Sequence, residues 1–252
     1  MLQGNNCVKI HIRNSLYGKT TSGTRMKTLD PRLSRALLLV FVALIVSSCH
    51  DVATSPDQIV GSGRIVPQYR TLDPFSGVHL TGIGSVYVTQ DTTQSFRLEA
   101  DDNIIDRVIT AVDNKVLTIS LQPGSYSKIT INVFVSMKSV ELLELTGTGS
   151  FTTTNALQSS TLTCRIDGTG SMTLRGSATE QVVQIQGTGE VHSFDLTASR
   201  CTVALSGTGN VEVTATQRLD ATLSGVGSIV YGGNPPELTQ HISGLGTIRR
   251  RS

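Results

Sequence analysis

Through the second half of the chain, apolar and polar residues alternate with a period of two. A Gly-x-Gly triplet interrupts the alternation at nearly constant intervals. The triplets are Gly147-Thr148-Gly149, Gly168-Thr169-Gly170, Gly187-Thr188-Gly189, Gly207-Thr208-Gly209, Gly225-Val226-Gly227 and Gly244-Leu245-Gly246, with first glycines 21, 19, 20, 18 and 19 residues apart. When the copies are aligned on that glycine, apolar residues fall into columns. Two positions before it stand Leu145, Ile166, Ile185, Leu205, Leu223 and Ile242; four after it stand Phe151, Met172, Val191, Val211, Ile229 and Ile248. The position just before it is polar throughout: Thr146, Asp167, Gln186, Ser206, Ser224 and Ser243. Such alternation predicts strands with one buried face.

A repeat of about 19 residues is too short to enclose a core of its own, so each copy must stack on its neighbours. The predicted fold is all-β: a single-stranded parallel β-helix with coils of about 18–21 residues and glycine at the corners, where a side chain would crowd the adjacent coil. A propeller blade needs about 40 residues, and barrel strands lack such columnar identity. A phosphate-binding loop is disfavoured too, because none of the six triplets continues to a third glycine and no Gly-x-x-x-x-Gly-Lys occurs.

An earlier triplet, Gly82-Ile83-Gly84, precedes the first of the six by 65 residues, about three such periods. Residues 66–140 are therefore expected to form about three irregular coils that cap the regular stack of 141–252. Strands are expected at Ser85–Thr89, Ser95–Ala100, Val116–Leu121 and Lys128–Val135, with turns near Asp101-Asp102-Asn103, Asp113-Asn114 and Pro123-Gly124. At the other end, Tyr231 to Pro236 reads as the turn into the last coil, and Arg249-Arg250-Arg251 as its charged close.

Composition fits many short strands: 24 Gly, no Trp and 4% aromatics. The net charge of +2 conceals segregation. Residues 1–48 carry seven Lys/Arg against Asp30 alone, while the remainder is net −4, which gives no electrostatic reason to expect a nucleic acid partner. The apolar run Ala36–Val46 follows Arg32 and Arg35 and is too short to span a bilayer, but it suits a signal-peptide core. Val46-Ser47-Ser48-Cys49 then resembles a bacterial lipobox, which implies cleavage before Cys49 and a membrane anchor of acyl chains on that cysteine. An ordinary signal peptide is the alternative. His50 rather than Asp follows the cysteine, which favours the outer membrane. The expected organisation is an upstream extension at 1–25 with Met26 as the start, a signal peptide at 26–48, and a lipidated linker at 49–65.

Chemistry is sparse. Cys164 and Cys201 point inward two coils apart, too distant for a disulfide, and are expected as buried thiols. His50, His79, His192 and His241 lack ligand spacing, so no metal and no cofactor are expected. Asp101-Asp102 offers at most a weak calcium site. His192 and Glu212 fall in equivalent outward columns one coil apart; such a pair is an acid–base couple in an enzyme and more commonly just surface. Thr148, Thr169, Thr188 and Thr208 form a ladder that fills the corner. No cluster of carboxylates or of basic residues is evident on one face.

Over about residues 66–252 the chain resembles the putative auto-transporter adhesin, head GIN domain family. The resemblance lies in Phe75-Ser76-Gly77-Val78, in Gly82-Ile83-Gly84-Ser85-Val86-Tyr87-Val88, in the repeated Ser-Gly-x-Gly corners, and in Gly233-Asn234-Pro235 before Gly244-Leu245-Gly246-Thr247-Ile248. Ser136-Met137 stand where the family usually has a proline. The resemblance implies a right-handed β-helix akin to pectin lyases but without their catalytic residues, and an adhesive role that is itself an analogy from fold. The expected function is a non-catalytic, lipid-anchored envelope module that binds a glycan or an envelope protein. The alternative is a carbohydrate-active β-helix enzyme with a degenerate site.

Overall fold

The computed structural model describes residues 58–252. Its core is a stack of parallel coils. Each coil consists of a strand that runs into a glycine corner and a second strand that leaves it. In the regular part these pairs are Leu142–Leu145 with Thr148–Thr153, Leu157–Ile166 with Thr169–Thr173, and Gly176–Ile185 with the start of Thr188–Leu205. The strands Thr188–Leu205 and Thr208–Leu223 each continue around the far turn, and the stack ends with Val226–Gly232, Glu237–Ile242 and Leu245–Arg250. The register is that of the sequence columns: Gly149 pairs with Gly170, Gly170 with Gly189, Gly189 with Gly209, Gly209 with Gly227, and Gly227 with Gly246. The apolar columns fill the interior; Leu145, Phe151, Ile166, Met172, Ile185, Val191, Leu205 and Val211 are all inaccessible to solvent.

The corners need glycine because the coils touch there through their backbones. A Cβ on Gly147 would lie 1.8 Å from the Gly82 carbonyl oxygen, one on Gly187 2.1 Å from that of Gly168, and one on Gly225 1.9 Å from that of Gly207. The obstacle in each case is backbone, which cannot rotate aside.

The N-terminal cap departs from the expectation of three imperfect coils. Gly82 is not three levels from Gly147 but its direct neighbour: Gly77–Leu80 pairs with Leu142–Leu145, and Ile83–Gln90 with Thr148–Thr153, both in parallel. The next level out comes from later in the chain. Val116–Leu121 pairs with Gly77–Leu80, and Ile131–Met137 with Ile83–Gln90, again in parallel. The coil at 77–90 is thus sandwiched between residues 116–137 and residues 142–153. Antiparallel strands cover the outside: Ser95–Asp101 lies against Ile131–Met137, Val108–Asp113 against Val116–Leu121, and Ile65–Tyr69 against Ser95–Asp101. Two local signals make the antiparallel turns. Asn114 and Lys115 both have positive φ, as a two-residue hairpin loop matched to strand twist requires. Pro67, which has no N–H, sits on the outermost strand.

Asp101 fastens this cap. It is fully buried, and its carboxylate accepts the backbone N–H groups of Gly63 and Thr130, each at 2.6 Å. Asp102 bonds to the Ser62 hydroxyl and the Arg64 guanidinium. Both carboxylates are therefore committed to protein donors, which removes them as a calcium pair. At the other end Tyr231 to Pro236 leads into the last coil and Arg249 and Arg250 lie on its final strand, as expected; Leu238 and Ile242 are 44% and 46% exposed, because no further level covers them among the described residues.

Cys164 and Cys201 are buried free thiols, and burial pushes the Cys201 thiol up to about 12. Neither should react with a thiol reagent in the native protein, and both should react after denaturation. The corner contacts give a sharper test. Gly147→Ala should cost about 3 kcal/mol or more by clash with backbone. Gly82→Ala should cost under about 1 kcal/mol, since its Cβ would meet nothing nearer than 3.4 Å. Denaturant midpoints of the two variants check this.

Candidate functional site

The strands that leave the corners form one outward face, and their stacking turns alternate sequence positions into long columns. One runs Asn132, Ser85, Ser150, Ser171, Glu190, Asn210, Ser228, Thr247; the next runs Phe134, Tyr87, Thr152, Thr173, His192, Glu212, Val230, Arg249. Their members bond along the column: Ser150 to Ser85 at 3.2 Å, Asn210 to Glu190 at 3.3 Å, and Ser228 to Asn210 at 2.7 Å. Tyr87 and Phe134 stack with ring centroids 4.8 Å apart, and the Arg97 guanidinium lies 3.9 Å from the Phe134 ring. At about 4.8 Å per level, eight levels make a polar strip roughly 34 Å long.

His192 and Glu212 meet as their columns require, with His192 Nδ1 3.0 Å from Glu212 and Nε2 3.3 Å from Glu190. The bond to Glu212 is the main cause that raises the His192 pKa, against partial burial that lowers it. Carboxylates facing both ring nitrogens favour the protonated ring more than solvent alone would.

Beside this pair lies a groove of about 550 Å³, lined by Thr152, Thr173, Leu174, Arg175, Phe194, Asp195 and Arg251 as well as His192 and Glu212. Differences in coil length create it. The corners are held in register, so extra residues emerge at the far turn. The 21-residue coil projects Thr154-Asn155-Ala156, the 20-residue coil bulges at Phe194-Asp195 between Ser193 and Thr197, and the 19-residue coil between them turns tightly at Leu174-Arg175. Backbone and hydroxyl bonds fix the walls. The Thr153 hydroxyl, in a 5% exposed residue, accepts the Arg175 N–H at 3.1 Å, and the Arg175 guanidinium donates to the Thr154 carbonyl. Thr214 donates to the Phe194 carbonyl at 2.9 Å. In the core, buried Gln181 donates to Ser193, which donates to the Glu212 carbonyl at 2.6 Å. Arg251, anchored by its N–H on the Tyr231 carbonyl, places its guanidinium 4.5 Å from the Phe194 ring.

The sequence missed this cluster. His192 and Glu212 were readable as column mates, but Arg175, Asp195 and Arg251 sit at turns outside the periodic columns, and Arg251 read as part of a solvated end. The unequal spacings 21, 19, 20 were the available signal. The glycines of the seven Gly-x-Gly triplets stand at the corners, away from this chemistry. No group of three His, Cys, Asp or Glu side chains among the described residues is arranged to hold a metal. Cys49 and the signal segment lie outside the described residues.

Residues 74–235 match the family model described as putative auto-transporter adhesin, head GIN domain. The chain belongs to this family. Several solved structures are similar to the chain. A putative adhesin from Bacteroides fragilis, 22% identical, covers 77% of this chain and all of its own, with a TM-score of 0.64. A putative adhesin from Parabacteroides distasonis is 23% identical over 77% of this chain and all of its own, with a TM-score of 0.49. A protein from the same species described as a putative lipid binding protein is 21% identical over 78% of this chain and all of its own, with a TM-score of 0.46. No curated protein matches the chain.

The His192 arrangement fixes a pH dependence. A raised folded-state pKa means that the pair stabilises the fold fully below the unfolded value of about 6.5, and that this contribution is lost as pH rises through the folded value. The imidazole signals of His192 should titrate above 6.5 by NMR, and Glu212→Gln should lower that midpoint.

Proposed function

We propose that this head GIN protein is a lipid-anchored, non-catalytic binding module of the bacterial cell envelope. It presents a rigid polar face to a glycan or a neighbouring envelope protein, as an adhesin does. The observation that carries this reading is the outward strip of stacked Ser, Thr, Asn and Glu columns over eight levels, seven of them held in register by corner glycines. Such a surface loses little freedom when a long ligand lies along it. Carboxylates of this chain occupy both His192 nitrogens, which favours binding over turnover, because neither nitrogen is left to face a ligand. The lipobox Val46-Ser47-Ser48-Cys49 supplies the anchor, and His50 favours the outer membrane. Eight residues lie between Cys49 and Gln58, so the tether reaches at most about 30 Å. No cofactor and no nucleic acid enter this reading.

The full-length protein in detergent should bind members of a glycan array or an envelope protein fraction without releasing products, and should incorporate a palmitate analogue that Cys49→Ala abolishes. Release of shortened or unsaturated oligosaccharides would establish the rival reading, a carbohydrate-active enzyme. Palmitate incorporation that survives Cys49→Ala would remove the anchor.

A further inference from the structure

We propose that the groove between the Thr154–Ala156 turn and the Phe194–Asp195 bulge binds an acidic saccharide, with the guanidinium groups of Arg175 and Arg251 holding a sugar carboxylate. This rests on the binding-module reading and gives it a location and a ligand class.

The cations are the first observation. Arg64, Arg97, Arg165, Arg200 and Arg218 each have a carboxylate partner. Arg175 and Arg251 line a single groove, yet neither has a carboxylate within 4.0 Å among the described residues. Both are held in place by neutral groups: Arg175 by the Thr154 carbonyl, and Arg251 by the Phe194 ring. A guanidinium has five donors, so each keeps several for a ligand and pays little ordering entropy to use them. Planar carboxylates accept such donors in pairs.

The rest of the lining decides what carries the carboxylate. Thr152 and Thr173 offer hydroxyls, while exposed Asp195 and half-buried Glu212 offer acceptors. A ligand that combines one anion with several hydroxyl groups satisfies both sets. Inorganic phosphate would leave the hydroxyl partners unused and would bring nearly twice a carboxylate's charge against Asp195 and Glu212. An extended peptide would need a free strand edge, and the strand at the groove floor, Thr169–Thr173, is paired on both sides with Thr148–Thr153 and Thr188–Leu205. The groove volume falls within the range of about 300–1,000 Å³ usual for small-ligand sites, and the groove opens onto the polar strip, so a longer chain can continue along the columns.

The test uses full-length protein in detergent, with trigalacturonate, sialyllactose and a hyaluronan tetrasaccharide as carboxylated probes and trigalactose as the neutral control. Calorimetry should show at least one carboxylated probe binding at least tenfold more tightly than trigalactose, with affinity falling as salt rises. Arg175→Gln and Arg251→Gln should each weaken that binding about tenfold or more, whereas Arg200→Gln, at a cation paired elsewhere, should leave it unchanged. On the unaltered protein, the same probe should shift the NMR signals of His192 and Thr173, a readout independent of variant folding. Failure of all three carboxylated probes to bind overturns the proposal, as does equal binding of trigalactose or undiminished binding in the Arg175→Gln/Arg251→Gln double variant. If the double variant still retains its partners on the wider glycan array, this site is wrong while the binding-module reading stands.

Discussion

Every regular feature of this molecule depends on how closely successive coils approach at the glycine corners. At Gly209 and Gly227 a side-chain carbon would lie 1.7 Å from the carbonyl oxygen of the glycine one level away. Glycine acts here in two ways: the space of a Cβ is occupied by the neighbouring main chain, and φ is +155° at Gly209 and +146° at Gly227. With the corners in contact, one vertical register serves both flanking strands, so apolar residues meet apolar residues through the core. Polar residues outside form columns whose members can hydrogen bond to one another.

The same constraint accounts for the irregular parts. A coil with one or two extra residues cannot place them at the corner or in the paired strands, so they emerge at the far turn. The Thr154–Ala156 turn and the Phe194–Asp195 bulge are these surpluses, and the groove is the hollow above the shorter coil between them. Architecture and candidate site are thus linked: rigid corners convert small differences in repeat length into surface relief. Because the strands beside each surplus are in register, the relief is itself well supported, by Thr153 under Arg175 and by Thr214 under Phe194.

The regular coils were legible in the sequence because their information is repeated. Six copies fix the corner, the inward columns and the meeting of His192 with Glu212. The cap was less legible, for a topological reason. The 65 residues between Gly82 and Gly147 divide into about three periods, but they build one parallel level that returns beneath residues 77–90, and an antiparallel cover. Local pattern still marked most of its strands, though not Val108–Asp113 or Ile65–Tyr69. At the groove, pattern reading reached only the residues on columns. Arg175, Asp195 and Arg251 occupy turns, where periodicity carries no information, and Arg251 contacts Phe194 from 57 positions away in the chain.

The out-of-order level has a consequence for how the chain acquires its structure. A solenoid whose coils follow one another in sequence can wind from either end, each new coil closing only a short loop. Here the coil at 77–90 has no parallel neighbour until residues 116–137 and 142–153 are available, and its Gly84–Gly149 pairing closes a loop of 65 residues. The costly closure lies in the first half of the described chain, and cheap, near-neighbour additions follow it. From Leu142 onward each coil rests on the one before, so gain or loss of a 19-residue unit there changes the molecule's length by one level. The cap admits no such change, because any insertion would have to be threaded between levels already joined out of sequence.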